Sequence, residues 1–103
     1  MKFKTTPYHH DLLKDHNRLA VFFQAINEYD SGTDLAYDLG CGSGVLSYFL
    51  SSKFSEIISL EIEQKTYNCA KENLEDFENI QVVNSNVLDY DFTKKADLIV
   101  CEM

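Results

Sequence analysis

Apolar residues at Leu12, Leu19, Phe23 and Ile26 recur at helical spacing and predict an amphipathic helix from Asp11 to about Glu28. Asp11 stands where a helix cap belongs, and Tyr29-Asp30-Ser31-Gly32 supplies turn chemistry to end the helix. The pattern then changes. Leu35-Ala36-Tyr37-Asp38-Leu39 reads as a short buried strand running into Gly40-Cys41-Gly42-Ser43-Gly44. Val45 to Ser52 reads as a helix, Glu56 to Glu61 as a second strand, and Gln64 to about Asp76 as a further helix. Ile80 to Val83 makes a third strand and Asp97 to Cys101 a fourth.

Strands alternating with helices predict an α/β fold built on a parallel sheet. Crossovers in such sheets are nearly always right-handed, which leaves few topologies. The 103 residues fit one domain, 1–103, within which 1–32 is a helical lead-in. A chain of this size buries roughly 60–68% of its unfolded surface, enough for a core without metal or disulfide staples. Leu98-Ile99-Val100 has the composition of a central buried strand, yet the sequence stops at Met103. The expectation is an amino-terminal piece of a longer protein, or half of a two-chain assembly.

With 45% hydrophobic and 25% charged residues, the chain is not a disordered tail. No apolar run approaches the roughly 18–20 residues that span a bilayer, and the opening MKFKTTPYHHD lacks the apolar stretch of a secretory signal. No membrane association is expected. Nine Lys and Arg against 17 Asp and Glu give a net charge of −8. Phosphate-binding surfaces need clustered cations, so direct nucleic-acid binding by this chain is disfavoured. A small molecule or a basic partner suits the charge better. Cys41, Cys69 and Cys101 form no CxxC pair and are odd in number, which points to reduced thiols packed as small hydrophobes in a cytoplasmic setting.

Ligands of open α/β sheets sit beyond the carboxyl ends of the strands, where the glycine-rich loop lies. A dinucleotide fingerprint would need glycine at position 45, but Val45 stands there, and Gly40, Gly42 and Gly44 make GxGxG instead. Asp38, two residues before the first glycine, would repel a pyrophosphate and suits a cationic ligand. S-adenosylmethionine carries a sulfonium and an ammonium and no phosphate. Asp38 has a second reading, as the residue that organises the loop. Glu61 ends the second strand 21 residues after Gly40, near the offset at which an acid meets ribose hydroxyls. Its rival Glu63 reads better as the cap of the next helix.

The run YDLGCGSGVLSYF, followed by ISLEIE, resembles the cofactor half of class I S-adenosylmethionine-dependent methyltransferases. The lead-in, His9-His10-Asp11-Leu12-Leu13-Lys14-Asp15-His16-Asn17-Arg18, is similar to the protein arginine methyltransferase pattern of His, then Leu-Lys-Asp, then Arg. Ala96 to Met103 resembles that family's fourth strand and the first acid of its double-glutamate loop. The resemblance implies a Rossmann-like parallel sheet of four strands with flanking helices, incomplete at its carboxyl end. It implies S-adenosylmethionine as cofactor, S-adenosylhomocysteine as product, and a protein substrate or a partner chain that completes the sheet.

The resemblance also implies roles. Arg18 would pair with the carboxylate of the cofactor, a task suited to a guanidinium fork. Asp38 would take the amino group or organise the loop of Gly40, Cys41, Gly42 and Gly44, and Glu61 would take the ribose. Val87 would meet adenine through its backbone, with Asn86 or Leu88 beside it. Asn86 stands where many class I enzymes carry Asp, although an amide oxygen can still accept from the adenine amine. Asp15, three residues from Arg18, would orient it. Glu102 would be the catalytic acid that holds the acceptor guanidinium. The second glutamate of that loop would lie beyond Met103, and Met103 itself stands where that family tends to have an aromatic residue. The implied function is methyl transfer to a protein arginine or another nitrogen. The alternative is a non-catalytic module that binds S-adenosylmethionine and docks to a partner.

Overall fold

The computed structural model describes residues 16–101, with side chains from position 19 onward. Helix α1 (His16–Asn27) leads into strand β1 (Thr33–Leu39), helix α2 (Val45–Leu50) and strand β2 (Phe54–Leu60). Helix α3 (Gln64–Asn73) and strands β3 (Ile80–Val83) and β4 (Leu98–Cys101) follow. The four strands form one sheet in the order β3-β2-β1-β4, every neighbouring pair parallel. The chain therefore winds outward from β1 to β3, then crosses back to add β4 on the other side of β1. The carboxyl end of β1 is the topological switch point, where ligands of such sheets bind.

Alternation along the strands divides the core into two layers. Ala36, Ile57 and Val100 pack with Ile26, Leu46, Leu50 and Phe54, so one face of the sheet is covered by α1 and α2. Leu35, Tyr37, Ile58 and Leu60 project to the opposite face. Burial on both faces explains why β1 and β2 read as nearly continuous apolar runs. Ile57, Leu50 and Leu60 are wholly buried, each contributing on the order of 1.5–3 kcal/mol.

The second face has no helix among the described residues. The extended connection between β3 and β4 covers it, packing Val87, Tyr90 and Ala96 onto the Tyr37 cluster. The rings of Tyr37 and Phe92 meet edge-on at 4.9 Å, as do those of Tyr90 and Phe92. Tyr37 donates its hydroxyl to the Lys94 carbonyl at 3.2 Å, and burial raises the phenol's pKa. Asp97 ends the connection by accepting the Leu35 N–H on its side chain while its own N–H bonds the Leu35 carbonyl. That pair of bonds sets β4 in register with β1, Ala36 opposite Leu98.

The expected elements are all present, β3 with its expected ends and the others with one or both ends shifted. Strand β2 begins at Phe54 rather than Glu56 because Phe54 pairs with Thr33. Helix α2 stops at Leu50, where Ser51 closes it by donating its hydroxyl to the Tyr48 carbonyl. Strand β4, expected to be buried at the sheet centre, is the outer neighbour of β1 in the described sheet, with Ile99 57% exposed. Cys101 at its end is exposed, against the expectation that all three thiols are packed away. The proposed Asp11 cap and Asp15 lie outside the described residues. No helix among those described is long and apolar enough to cross a membrane.

Candidate functional site

The glycine loop leaves β1 at the switch point and is tied down from three directions. The N–H groups of Gly40 and Cys41 both donate to the Leu60 carbonyl at 2.9 Å, carrying the β1–β2 ladder past the strand end. From behind, α3 sends the buried Asn73 side-chain amide to the Ser43 carbonyl at 3.0 Å. From just past the end of β2, Glu61 Oε1 accepts the Gly42 N–H at 2.9 Å. Gly42 holds φ at 58°, a left-handed conformation that leaves its N–H aimed at that carboxylate and that other residues adopt reluctantly.

Glu61 is 8% exposed. Its second oxygen, Oε2, accepts the Glu63 N–H at 3.0 Å. An ionised carboxylate offers about four acceptor positions, so two amides leave room for further donors. Glu63 plays the part expected of it, capping α3 by accepting the Thr66 N–H at 2.8 Å. The two acids are thus separated by role: one turned to the glycine loop, one spent on a helix end.

Asp38 is fully buried, on the same sheet face as Ala36. Its Oδ2 accepts from the Ser47 hydroxyl at 2.6 Å, and Ser47 Oγ lies 2.6 Å from Ser59 Oγ. Of the two readings of Asp38, this placement favours the organiser of the loop, since its carboxylate is closed off from solvent. Cys41 is buried beside it. Burial pushes the Cys41 thiol pKa up, and the Asp38 and Glu61 carboxylates push it further, so this thiol stays protonated and unreactive near neutral pH.

Next to Glu61 lies a cavity of about 320 Å³ lined by Gly40, Leu60, Ile62, Ser85, Asn86, Val87 and Leu88. That volume is at the small end of the roughly 300–1,000 Å³ typical of ligand pockets. Its walls are mostly apolar, and two of them, Ile62 and Leu88, are large side chains left 62% and 89% exposed. Exposed aliphatic groups facing a slot suit a flat aromatic ring. Asn84, next in sequence to the lining residue Ser85, ties the ends of β2 and β3 together by donating its side-chain amide to the carbonyls of Glu61 and Ile62 at 2.9 and 3.1 Å. Asn86 Oδ1 accepts the Leu88 N–H at 3.0 Å, so one lone pair of the oxygen expected to face adenine is already engaged.

The structure thus gathers Gly40, Cys41, Gly42, Gly44, Glu61, Asn86 and Val87 at the carboxyl ends of β1 to β3, with Asp38 behind the loop. Arg18 falls in α1, its side chain outside the described residues, as are His9 and Glu102. Ile62, Ser85, Asn73 and the two serines were not anticipated. Ile62 had a signal, a lone aliphatic residue between two acids. The observed group fits S-adenosylmethionine: an acidic acceptor with spare capacity beside an apolar slot and, among the described residues, no cationic cluster of the kind a pyrophosphate needs.

Comparison with known proteins agrees. A family model described as a methyltransferase domain matches residues 36–103. An uncharacterized protein of Methanothermobacter thermautotrophicus is 48% identical over the whole of this chain, which spans 40% of that relative. Ribosomal RNA small subunit methyltransferase A of Streptococcus equi subsp. zooepidemicus is 36% identical over 61 residues, 59% of this chain and 19% of that protein. Among solved structures, the Trypanosoma brucei PRMT1 enzyme-prozyme complex with AdoHcy superposes with a TM-score of 0.82 at 25% identity, over 93% of this chain and 32% of that one. The chain spans well under half the length of each of these. Sheet order, glycine loop, acidic strand end and family match converge: the chain belongs to the methyltransferase domain family, as a class I S-adenosylmethionine-dependent member.

Proposed function

We propose that this chain forms the cofactor-binding half of an enzyme that methylates nitrogen, with protein arginine as the leading acceptor. The observation that carries the reading is the convergence of the glycine loop, the Glu61 carboxylate and the 320 Å³ cavity at one sheet edge. When bound, S-adenosylmethionine supplies an electrophilic methyl group on a sulfonium, open to in-line displacement by a nitrogen lone pair. Glu61 accepts the ribose hydroxyls with the lone pairs its two amide partners leave open. Ile62, Val87 and Leu88 hold the adenine ring, Asn86 meets its polar edge, and Arg18 pairs with the carboxylate. Glu102 orients the acceptor nitrogen.

Arginine as acceptor is supported by the His9 to Arg18 pattern and by the likeness to the trypanosome arginine methyltransferase over 93% of the chain. A second acceptor class, RNA, is favoured by the 36% identity to the ribosomal RNA enzyme. The net charge of −8 weighs against this chain gripping RNA by itself. A non-catalytic module that binds the cofactor and docks to a partner is the competing reading from another class.

Calorimetric titration with S-adenosylhomocysteine, with NAD as control, tests the cofactor reading. Selective binding is expected, weakened tenfold or more, about 1.4 kcal/mol, by Glu61→Ala and by Arg18→Ala. Folded protein that binds NAD as well as S-adenosylhomocysteine, or variants that bind as tightly as the parent, would overturn the assignment. Methylation of an arginine peptide but not of ribosomal RNA by the intact protein separates the acceptor classes. Binding without turnover on either leaves the docking module.

A further inference from the structure

The buried hydrogen-bonded trio of Asp38, Ser47 and Ser59 has a part in the site that loop geometry alone does not require. All three residues are fully buried. They come from β1, α2 and β2, and Asp38 and Ser59 stand opposite each other in the parallel ladder. The Ser47–Asp38 bond at 2.6 Å joins the two ends of the glycine loop, since Asp38 precedes it and Ser47 follows it. A plain staple there could be made from neutral groups. An acid in this position is costly, because burial favours the neutral form unless donors stabilise the charge.

The hydroxyls supply such donors in a defined order. Ser47 donates its hydroxyl to Asp38 Oδ2, which uses its one hydrogen. Ser47 Oγ, 2.6 Å from Ser59 Oγ, then accepts the Ser59 O–H. The chain of donation runs Ser59 to Ser47 to Asp38, and each bond polarises the next. A negative charge held this way acts at longer range than an exposed one, since the surrounding protein screens it little.

We propose that Ser47 and Ser59 are positioning residues that keep Asp38 ionised behind the glycine loop, so that the site prefers the cationic methyl donor over its uncharged-sulfur product. The inference rests on the cofactor reading above. S-adenosylmethionine and S-adenosylhomocysteine differ by one methyl group and one positive charge, so a fixed negative charge discriminates between them. The preference favours loading of donor and departure of product at the same loop.

The test is calorimetric titration of the intact protein with each of the two ligands. Ser47→Ala and Ser59→Ala are expected to lower the ratio of S-adenosylmethionine to S-adenosylhomocysteine affinity by about threefold or more. Ser47→Thr, which keeps the hydroxyl, is expected to restore it. In an Asp38→Asn background, Ser47→Ala should leave the ratio unchanged, because the charge it serves is gone. Should Asp38→Asn not fold, the ratio in the two serine variants and its rescue by threonine still decide. Equal weakening of both ligands would reduce the trio to a staple and overturn the proposal. Failure of the parent protein to bind either ligand would instead overturn the cofactor reading, so the two failures are distinguishable.

Discussion

Gly44 sits at φ 97°, and a Cβ built on it would lie 2.7 Å from Leu74 Cδ1, a side chain that is itself buried. Gly32 has a similar φ of 87°, yet a Cβ there would meet nothing within 4 Å. The pair separates backbone strain from steric conflict. Gly32→Ala is expected to cost about 1–2 kcal/mol, the strain of a left-handed conformation. Gly44→Ala carries that strain plus overpacking of about 1–3 kcal/mol. Urea unfolding of both variants checks the difference, and equal losses would mean that Leu74 moves aside freely. Cys41 gives a second prediction at this scale. Its buried, protonated thiol is expected to be the last of the three cysteines to react with iodoacetamide, and to react only on unfolding. Alkylation of Cys41 at the rate of Cys69 in the folded protein would contradict the packing of the loop.

Between elements, single polar side chains do much of the joining. Asn79, at the entrance to β3, donates its side-chain amide to the carbonyls of Ser51 and Phe54 at 2.9 and 3.0 Å, bracketing the turn between α2 and β2. Asn79→Ala is expected to lower stability by roughly 1–3 kcal/mol, since two partly buried carbonyls lose their donor. Asn79→Asp, which can donate to neither as a carboxylate, should not recover the loss in thermal unfolding. Tyr37→Phe probes the aromatic connection in the same way. It removes one hydroxyl bond to Lys94 and leaves the ring contacts, so a loss of about 0.5–1.5 kcal/mol is expected. The ion pair of Lys94 and Glu56 at 3.0 Å, being exposed, adds little to this tie.

The same joints explain what could be read from the chain beforehand. The strands and helices follow from period and punctuation, and β3 emerged with its observed ends because Asn79 and Asn84 bound a run of four mostly apolar residues. The Glu63 cap was legible because an acid three residues before Thr66 has one obvious use. Residues 84–97 carry no period at all, and their order comes from rings that meet only once the sheet exists. Ser47 and Ser59 were invisible for a related reason. Nothing local marks them, and only the register of β1 on β2 brings Ser59 beside Asp38. The glycine loop and Glu61 could be read because they follow a spacing; their support could not, because it is tertiary.

At the scale of the molecule, the proposed function assigns cofactor binding and turnover to different extents of chain. The groups read as cofactor ligands lie between Arg18 and Leu88, and those described already share one sheet edge. Only Glu102 is read as touching the acceptor, and a single carboxylate cannot both bind a nitrogen nucleophile and shield it from water. The chain also spans only 40% of its Methanothermobacter relative. The 103 residues alone are therefore expected to gain thermal stability from S-adenosylhomocysteine, by about 2.7 kcal/mol at a ligand concentration 100-fold above Kd. The same sample should transfer no measurable methyl group to arginine peptides, RNA or free amines when supplied with radiolabelled S-adenosylmethionine. Turnover by these residues would show that acceptor binding is complete within them. A chain that stays unfolded even with saturating ligand would show that the four-stranded sheet draws its stability from contacts beyond it.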